Sequence, residues 1–323
     1  MLAKRRSLHF NGDEVARTPM VVPSFSSKGF PQVAKILKTT EEVIESAMLI
    51  SAYDLHYKKI FPPFDFASLI FLDSGGYEAS KDTDLSDVGD REYRPAKWSQ
   101  ERHEMVLSGW NSRVPTVIVS YDHPKERLPL RKQIERARLM APSRQNVLRE
   151  ILIKPETEGQ TLLRLQSLTS QVHSLVDFDI IGVTEKEIGN SILGRMENIA
   201  RLRLALDKAG LDKPIHVFGS LDTISTPMYF LAGADIFDGL TWLRFAFREG
   251  YTIYKQNYGA VELGVGEKAH LIDARCWFHN YRYLKDLELD MRRFLKQRDF
   301  RELKYHSEMF RSAYESIAEA VEG

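Results

Sequence analysis

Three apolar runs in this sequence end on a carboxylate. Leu69-Ile70-Phe71-Leu72 leads into Asp73, which is followed by Ser74, Gly75, Gly76, Tyr77 and Glu78; Val119-Ser120-Tyr121 leads into Asp122; and Asp235-Ile236-Phe237 leads into Asp238, with Gly239 behind it. Each aspartate alone has a plain structural reading, because Asp caps helices and a following glycine opens a turn. Three carboxylates gathered at one place are harder to explain in that way. Like charges held together are unfavourable unless one is protonated or the site is used. Two carboxylates flanking an anomeric carbon are the general solution for glycosidic chemistry, one attacking while the other gives and takes the proton.

Such a gathering needs elements that bring distant residues to one face. The pattern predicts short β-rich strands over residues 20–23, 69–72, 117–121, 151–154, 178–183, 215–218 and 234–237. Amphipathic helical stretches alternate with them over 40–50, 98–108, 160–175, 192–209 and 223–231, with Gly210 and Gly233 as stops for the last two. Strands alternating with helices indicate βαβ units on a parallel sheet. About seven such units suit a closed α/β barrel, a (β/α)8 TIM barrel, better than an open sheet. Asp73, Asp122, Glu185, Gly219 and Asp238 each follow a predicted strand, so in that barrel they open on the C-terminal face where active sites sit. The glycine-rich phosphate-binding fingerprints of open nucleotide folds do not occur.

After Gly250 the pattern changes. Residues 251–258 read as a strand or ordered loop and 259–270 as a glycine-containing connection; two long charged helices follow over 278–295 and 299–321. The expected organisation is one domain over 1–323, with a barrel core over about 18–255 and a helical C-terminal extension over about 277–321. The charged stretch 131–138 reads as a solvated helix face. Trp277, Phe278, Tyr281 and Tyr283 read as packing for the C-terminal helices.

Of the 323 residues 43% are hydrophobic and 28% charged, a soluble globular balance able to bury a full core. The formal net charge is zero, so composition announces no long-range attraction to a polyanion, although a local basic face suffices to bind phosphates. The one cysteine, Cys276, rules out a disulfide framework within the chain and makes a reducing compartment the expectation. Lys4-Arg5-Arg6 is not followed by the apolar stretch of a secretory signal, and no apolar run approaches the ~20 residues that span a bilayer. A soluble cytoplasmic protein without membrane contact is expected.

The run from Leu72 to Glu78 resembles the DSGG-(F/Y)-Q motif of the tRNA-guanine transglycosylase family. The resemblance continues at 119–122, the family's base-recognition position, and at 181–185, where the family has a small-residue strand ending in Gly-Glu. It returns at 217–243, where Phe218-Gly219-Ser220 matches a short glycine turn and Gly233-Ala234-Asp235-Ile236-Phe237-Asp238 matches G-(I/A)-D-x-F-D. The matches keep the family's order and cover residues 18–250.

The resemblance implies a pentosyltransferase that exchanges guanine in nucleic acid for another base. Asp238 would attack C1′ of the guanosine to form a covalent glycosyl-enzyme, and Asp73 would be the general acid/base. Asp122 would accept hydrogen bonds from the base, Tyr77 would stack on it, and the Ser74, Gly75 and Gly76 backbone would border the pocket. Gly182 and Glu185 would line another wall, Gly219 the glycine turn, and Lys154 the pocket rim. Arg244 and Arg248 would hold the sugar-phosphate chain, a role suited to arginine. The target base must leave the stack for C1′ to be reached, and a covalent intermediate gives ping-pong exchange.

The sequence departs from the family in several places. The family's zinc site uses three closely spaced cysteines and a later histidine, whereas this chain has His270, Asp273, Cys276 and His306. A mixed zinc site from these four is one reading; the expectation is no cofactor, with Cys276 an ordinary buried cysteine. Lys154-Pro155 stands where the family commonly has Gln-Gly, Thr184 replaces the glycine before Glu185, and Glu78 replaces Gln. These changes leave exchange chemistry intact and leave the incoming base open. Together with the missing cysteines they resemble the divergent branch that inserts 7-deazaguanine bases such as preQ0 into DNA. DNA is therefore favoured over tRNA as the acceptor, with helper proteins to open a duplex; relatives also form homodimers. Two other readings are carried. One is a catalytically silent nucleic-acid-binding subunit, against which both aspartates speak. The other is an unrelated barrel hydrolase or lyase with Lys154 as a Schiff-base lysine, which would need a neighbouring cation or burial to activate the amine.

Overall fold

The computed structural model describes residues 1–80, 93–123, 125–140 and 147–322. Eight parallel strands form its centre: β1 (Met20–Pro23), β2 (Ala47–Ser51), β3 (Leu69–Asp73), β4 (Thr116–Val119), β5 (Val147–Ile153), β6 (Ile180–Thr184), β7 (Ile215–Phe218) and β8 (Ile236–Gly239). From β2 to β8 each strand pairs with the next in chain order, and β8 returns to pair with β1. The seam between β1 and β2 is joined at one point, where Ser24 bridges Leu49 and the Phe25 amide donates to the Leu49 carbonyl at 3.0 Å. This is the expected (β/α)8 barrel.

The strands are apolar runs buried on both faces, as a sheet covered by helices requires. Alternate residues point to opposite faces of a strand. One set, including Val21, Ile50, Ile70, Ile118, Ile181 and Val217, packs outward against the helices. The other, including Met20, Val22, Leu49, Leu69, Phe71, Leu148, Ile180 and Ile236, fills the barrel interior. The same parity carries Asp73 above Phe71, and Asp238 above Ile236, into the interior at its C-terminal end.

An N-terminal hairpin, Ser7–Phe10 paired antiparallel with Asp13–Arg17, covers the opposite end and puts Leu8 into the interior cluster. Its Asn11-Gly12 tip is a short-range hairpin signal that sequence reading passed over. The strand β2 was also missed. Residues 40–50 read as a helix, but the helix there is Val33–Thr40 and Ala47–Ser51 is a strand. Five consecutive apolar or small residues carry no periodicity to separate strand from buried helix.

The predicted helix over 160–175 is a short helix, Leu165–Ser170, and a 3-10 turn, Val172–Leu175. The stretch 251–270 holds a strand, Tyr251–Ile253, paired with Ala246–Arg248, and then a helix, Lys255–Glu262. The C-terminal pair begins at different points from those expected, with helices at Ala269–Gln297 and Ser307–Glu322. The first lays Leu284, Met291 and Phe294 into the main core. Among the described residues no helix is long and apolar enough to cross a membrane.

Candidate active site

At the mouth of the barrel, Asp238 accepts hydrogen bonds from the ends of two strands and lies against a third group. Ser24, just past β1, donates its hydroxyl to Oδ2 at 2.7 Å, and the Gly219 amide donates to Oδ1 at 3.0 Å. Gly219 closes β7 with φ +81°, a left-handed conformation that glycine adopts without penalty and that sets its N–H toward the neighbouring strand. His216 Nε2 lies 3.3 Å from the same Oδ1, though off the line of a hydrogen bond.

His216 is wholly buried inside β7, stacked on Phe218 with Phe71 at its edge. Its Nδ1 lies 2.8 Å from Oε1 of Glu150, an acid equally buried inside β5. Burial alone would lower the imidazole pKa; Glu150 and Asp238 outweigh it and raise it to about 9. Burial pushes the Glu150 carboxyl up, against the opposing pull of His216. Gly182 makes this arrangement fit: a Cβ there would stand 2.7 Å from Glu150 Oε1 and 2.8 Å from the Phe218 ring.

Asp73 has opposite surroundings. It accepts the Gly75 amide at 3.1 Å, but its pKa is raised well above the carboxylate range by burial, then by the charges of Glu78, Asp122 and Asp238. A second acidic group adjoins it. Glu78 accepts hydroxyls from Ser26 and Ser51, and Asp54 accepts the Ser27 amide at 2.7 Å. Burial and mutual repulsion raise Glu78 to about 7; burial raises Asp54 to about 6, against the pull of the Ser27 hydrogen bonds. Pairs of acids with contrasting environments are how one site holds a proton donor beside an ionised group.

Asp122 follows β4, the strand next to the one that ends in Asp73. It accepts the Ser74 hydroxyl, and its carboxylate lies against the Cα of Gly76, where a Cβ would come within 2.4 Å. Lys154 Nζ sits 3.8 Å from Asp122 and 2.7 Å from Glu187. The cavity bounded by Ser120, Asp122, Gln133 and Lys154 is about 10 Å³, room for one water. Behind it His103 is fully buried with neither ring nitrogen hydrogen-bonded, and burial lowers its pKa to about 4.

The remaining predicted residues divide. Tyr77 and Arg244 come together, the guanidinium donating to the phenol oxygen at 2.8 Å, while Lys28 covers the ring at 4.2 Å. Glu185 is committed to Tyr229 and Arg195 at 2.7 and 3.1 Å; Glu187, not singled out in the sequence, is the acid that meets Lys154. Arg248 lies apart from the aspartates. It pairs with Glu262 at 3.0 Å and lines a separate cleft of about 460 Å³ with Arg275, Tyr283 and Tyr305.

His270, Asp273, Cys276 and His306, read from the sequence as a candidate mixed zinc set, do not fit a metal. Asp273 pairs with Lys255 at 2.5 Å, His306 meets the Gly250 carbonyl at 3.1 Å, and the buried Cys276 thiol is pushed up to about 11 by burial. Among the described residues no group of three or more His, Cys, Asp or Glu side chains is placed to hold a metal ion. No family model and no curated protein matches the chain.

Glu150 and His216 were not found from sequence. The signal was present: each is a polar residue among apolar ones at the inward positions of its strand, and a buried polar group needs a partner.

Proposed function

We propose that the barrel mouth exchanges a base on a nucleoside within nucleic acid, with Asp238 as nucleophile and Asp73 as proton carrier. The observation that carries this reading is the contrast between the two aspartates. Asp238 receives donors on both oxygens, which fixes its orientation for attack, whereas Asp73 is buried among acids that favour its protonated form. In the first half-reaction an Asp238 oxygen bonds to C1′ as the bond to guanine breaks, and Asp73 supplies the proton to the departing base. In the second, Asp73 takes the proton from the incoming base, whose nitrogen bonds to C1′ as the ester bond breaks. Asp122 with Ser74 and Gly76 borders the base. A purine needs more room than the small cavity there, so Lys154 and its neighbours move on binding.

DNA as acceptor and a 7-deazaguanine such as preQ0 as incoming base follow from the sequence's departures from tRNA-acting relatives. The Schiff-base alternative is weakened by the surroundings of Lys154, whose near neighbours are carboxylates rather than the cation that activates an amine. The test is incorporation of labelled guanine or preQ0 into matched DNA and tRNA by the wild type and Asp238→Asn, with intact-mass detection of a covalent adduct. Label in DNA and an adduct, both lost in the variant, support the proposal. Label in tRNA alone moves the acceptor, and label in neither, with the DNA supplied single-stranded so that no helper is needed to open it, removes the exchange reading.

A further inference from the structure

The buried Glu150–His216 pair beneath Asp238 is larger than architecture needs. A fully buried acid and imidazole in the barrel interior replace apolar side chains that would fill the same layer, and buried ion pairs of this kind give little net stability. Gly182 keeps the space they occupy. The chain of contacts also has a direction. Glu150 fixes Nδ1 at 2.8 Å, which leaves Nε2 as the end that faces Asp238 at 3.3 Å, with no hydrogen bond made to anything else.

We propose that Glu150 and His216 are positioning residues that keep an imidazole N–H aimed at Asp238 through both halves of the exchange. The proposal rests on the exchange reading for its chemical role. In the free protein the carboxylate and imidazolium attract one another. When Asp238 becomes an ester its charge is gone, and a buried imidazolium without a second acid would shed its proton. Glu150 supplies that acid. The ring therefore remains charged in the covalent state, so that when the incoming nitrogen bonds to C1′ and the C1′–O bond breaks, the electron pair returns to an oxygen already facing a cation. No proton crosses the pair during the cycle; the exchanged proton travels through Asp73.

The groups facing His216 are Glu150 from β5 and Asp238 from β8, with the Phe71 and Phe218 rings on its other sides. Its titration therefore reports on those two acids. A His216 pKa raised to about 9 agrees with this geometry.

The experiment follows the His216 ring by NMR in the full chain carrying labelled histidine, in wild type, Glu150→Gln and Asp238→Asn. In parallel, release of base-chased adduct is timed in wild type, Glu150→Gln and Glu150→Asp. The expected result is an imidazole that titrates far above the ordinary range and falls back toward it in each neutralised variant. Adduct release should slow tenfold or more in Glu150→Gln while adduct formation changes less, with partial recovery in Glu150→Asp. An ordinary titration in the wild type overturns the proposal, as does unchanged release in Glu150→Gln. If Glu150→Gln does not fold, Asp238→Asn at the mouth carries the titration arm. A high titration that depends on both acids, in a protein that forms no adduct, supports the pair and sinks the exchange reading alone.

Discussion

Asp235 and Asp238 stand three residues apart on the same strand segment, yet they belong to opposite ends of the barrel and to opposite electrostatic regimes. At the N-terminal end Asp235 is bracketed by Arg6 at 2.8 Å and Arg203 at 2.5 Å, and it accepts the Ile215 amide at 2.8 Å. Acid and bases there are in balance, and every contact ties the N-terminal hairpin, the helix Ile192–Lys208 and the sheet together. At the C-terminal end Asp54, Asp73, Glu78, Asp122 and Asp238 are all buried; Lys154 stands 3.8 Å from Asp122, His216 lies 3.3 Å from Asp238, and the Lys28 ammonium donates to the Tyr77 and Ser80 carbonyls. An end where charges cancel serves the architecture. An end where acids outnumber bases is held in an unfavourable state by the rest of the fold, which is how reactive sites are maintained.

The largest expected effects break this contrast directly. Asp238→Asn should leave the fold intact and lower base exchange by roughly 10⁴-fold, the scale on which removing a nucleophile acts; an activity assay beside a melting curve separates the two. Asp235→Asn should do the reverse. It removes the buried carboxylate that Arg6 and Arg203 share, leaving Arg6 to Asp212 at 2.8 Å and Arg203 to Asp207 at 3.8 Å, and breaking a buried pair with that partial compensation costs about 3 kcal/mol. Urea titration checks the loss. If Asp235→Asn were as stable as wild type while Asp238→Asn unfolded, the assignment of the two ends would be inverted.

A smaller effect concerns pH. Glu78 and Asp54 are raised to about 7 and about 6, so the folded protein retains protons that the unfolded chain has released. Stability from these neutral forms is present at low pH and is lost as pH rises through those values. Glu78→Gln removes that dependence, since an amide stays neutral. The variant should match wild type near pH 5 and exceed it by about 1–3 kcal/mol near pH 8. Melting curves across that range test it, and a gap that widens toward acid would show the sign to be wrong. His216 adds a separate loss as pH rises from the ordinary histidine range through about 9, because its folded pKa is the higher one.

The barrel was legible because its strands are apolar runs with turn signals, and the ends β1 and β7 fall where the pattern puts them. The aspartates were legible because a carboxylate closing an apolar strand breaks a pattern. What escaped were residues whose meaning depends on partners far away in the chain. His216 and Glu150 are 66 residues apart, and only barrel closure makes them neighbours. The same holds for Glu187, which Lys154 selects over the predicted Glu185, and for the joining of Tyr77 to Arg244 across 167 residues. Strand parity would have marked His216 and Glu150 as inward, and nothing local marks the others.

The smallest expected effect separates the two arginines that sequence reasoning treated alike. Arg244 reaches the mouth, where it donates to Tyr77, and Arg248 lies beside a different cleft, where it pairs with Glu262 at 3.0 Å. A cation beside the Asp73–Tyr77 loop lies nearer a nucleotide held at Asp238 than one at a separate cleft. Arg244→Ala should therefore weaken binding of single-stranded DNA about tenfold and flatten its salt dependence by roughly one phosphate contact. Arg248→Ala should change affinity about twofold or less, as a mostly neutralised surface pair implies. Fluorescence anisotropy over a salt series measures both. Equal losses in the two variants would extend the polymer's track from the barrel mouth to the cleft beside the C-terminal helices, and would make the balance of charge at that cleft, rather than proximity to Asp238, the guide to where the backbone lies.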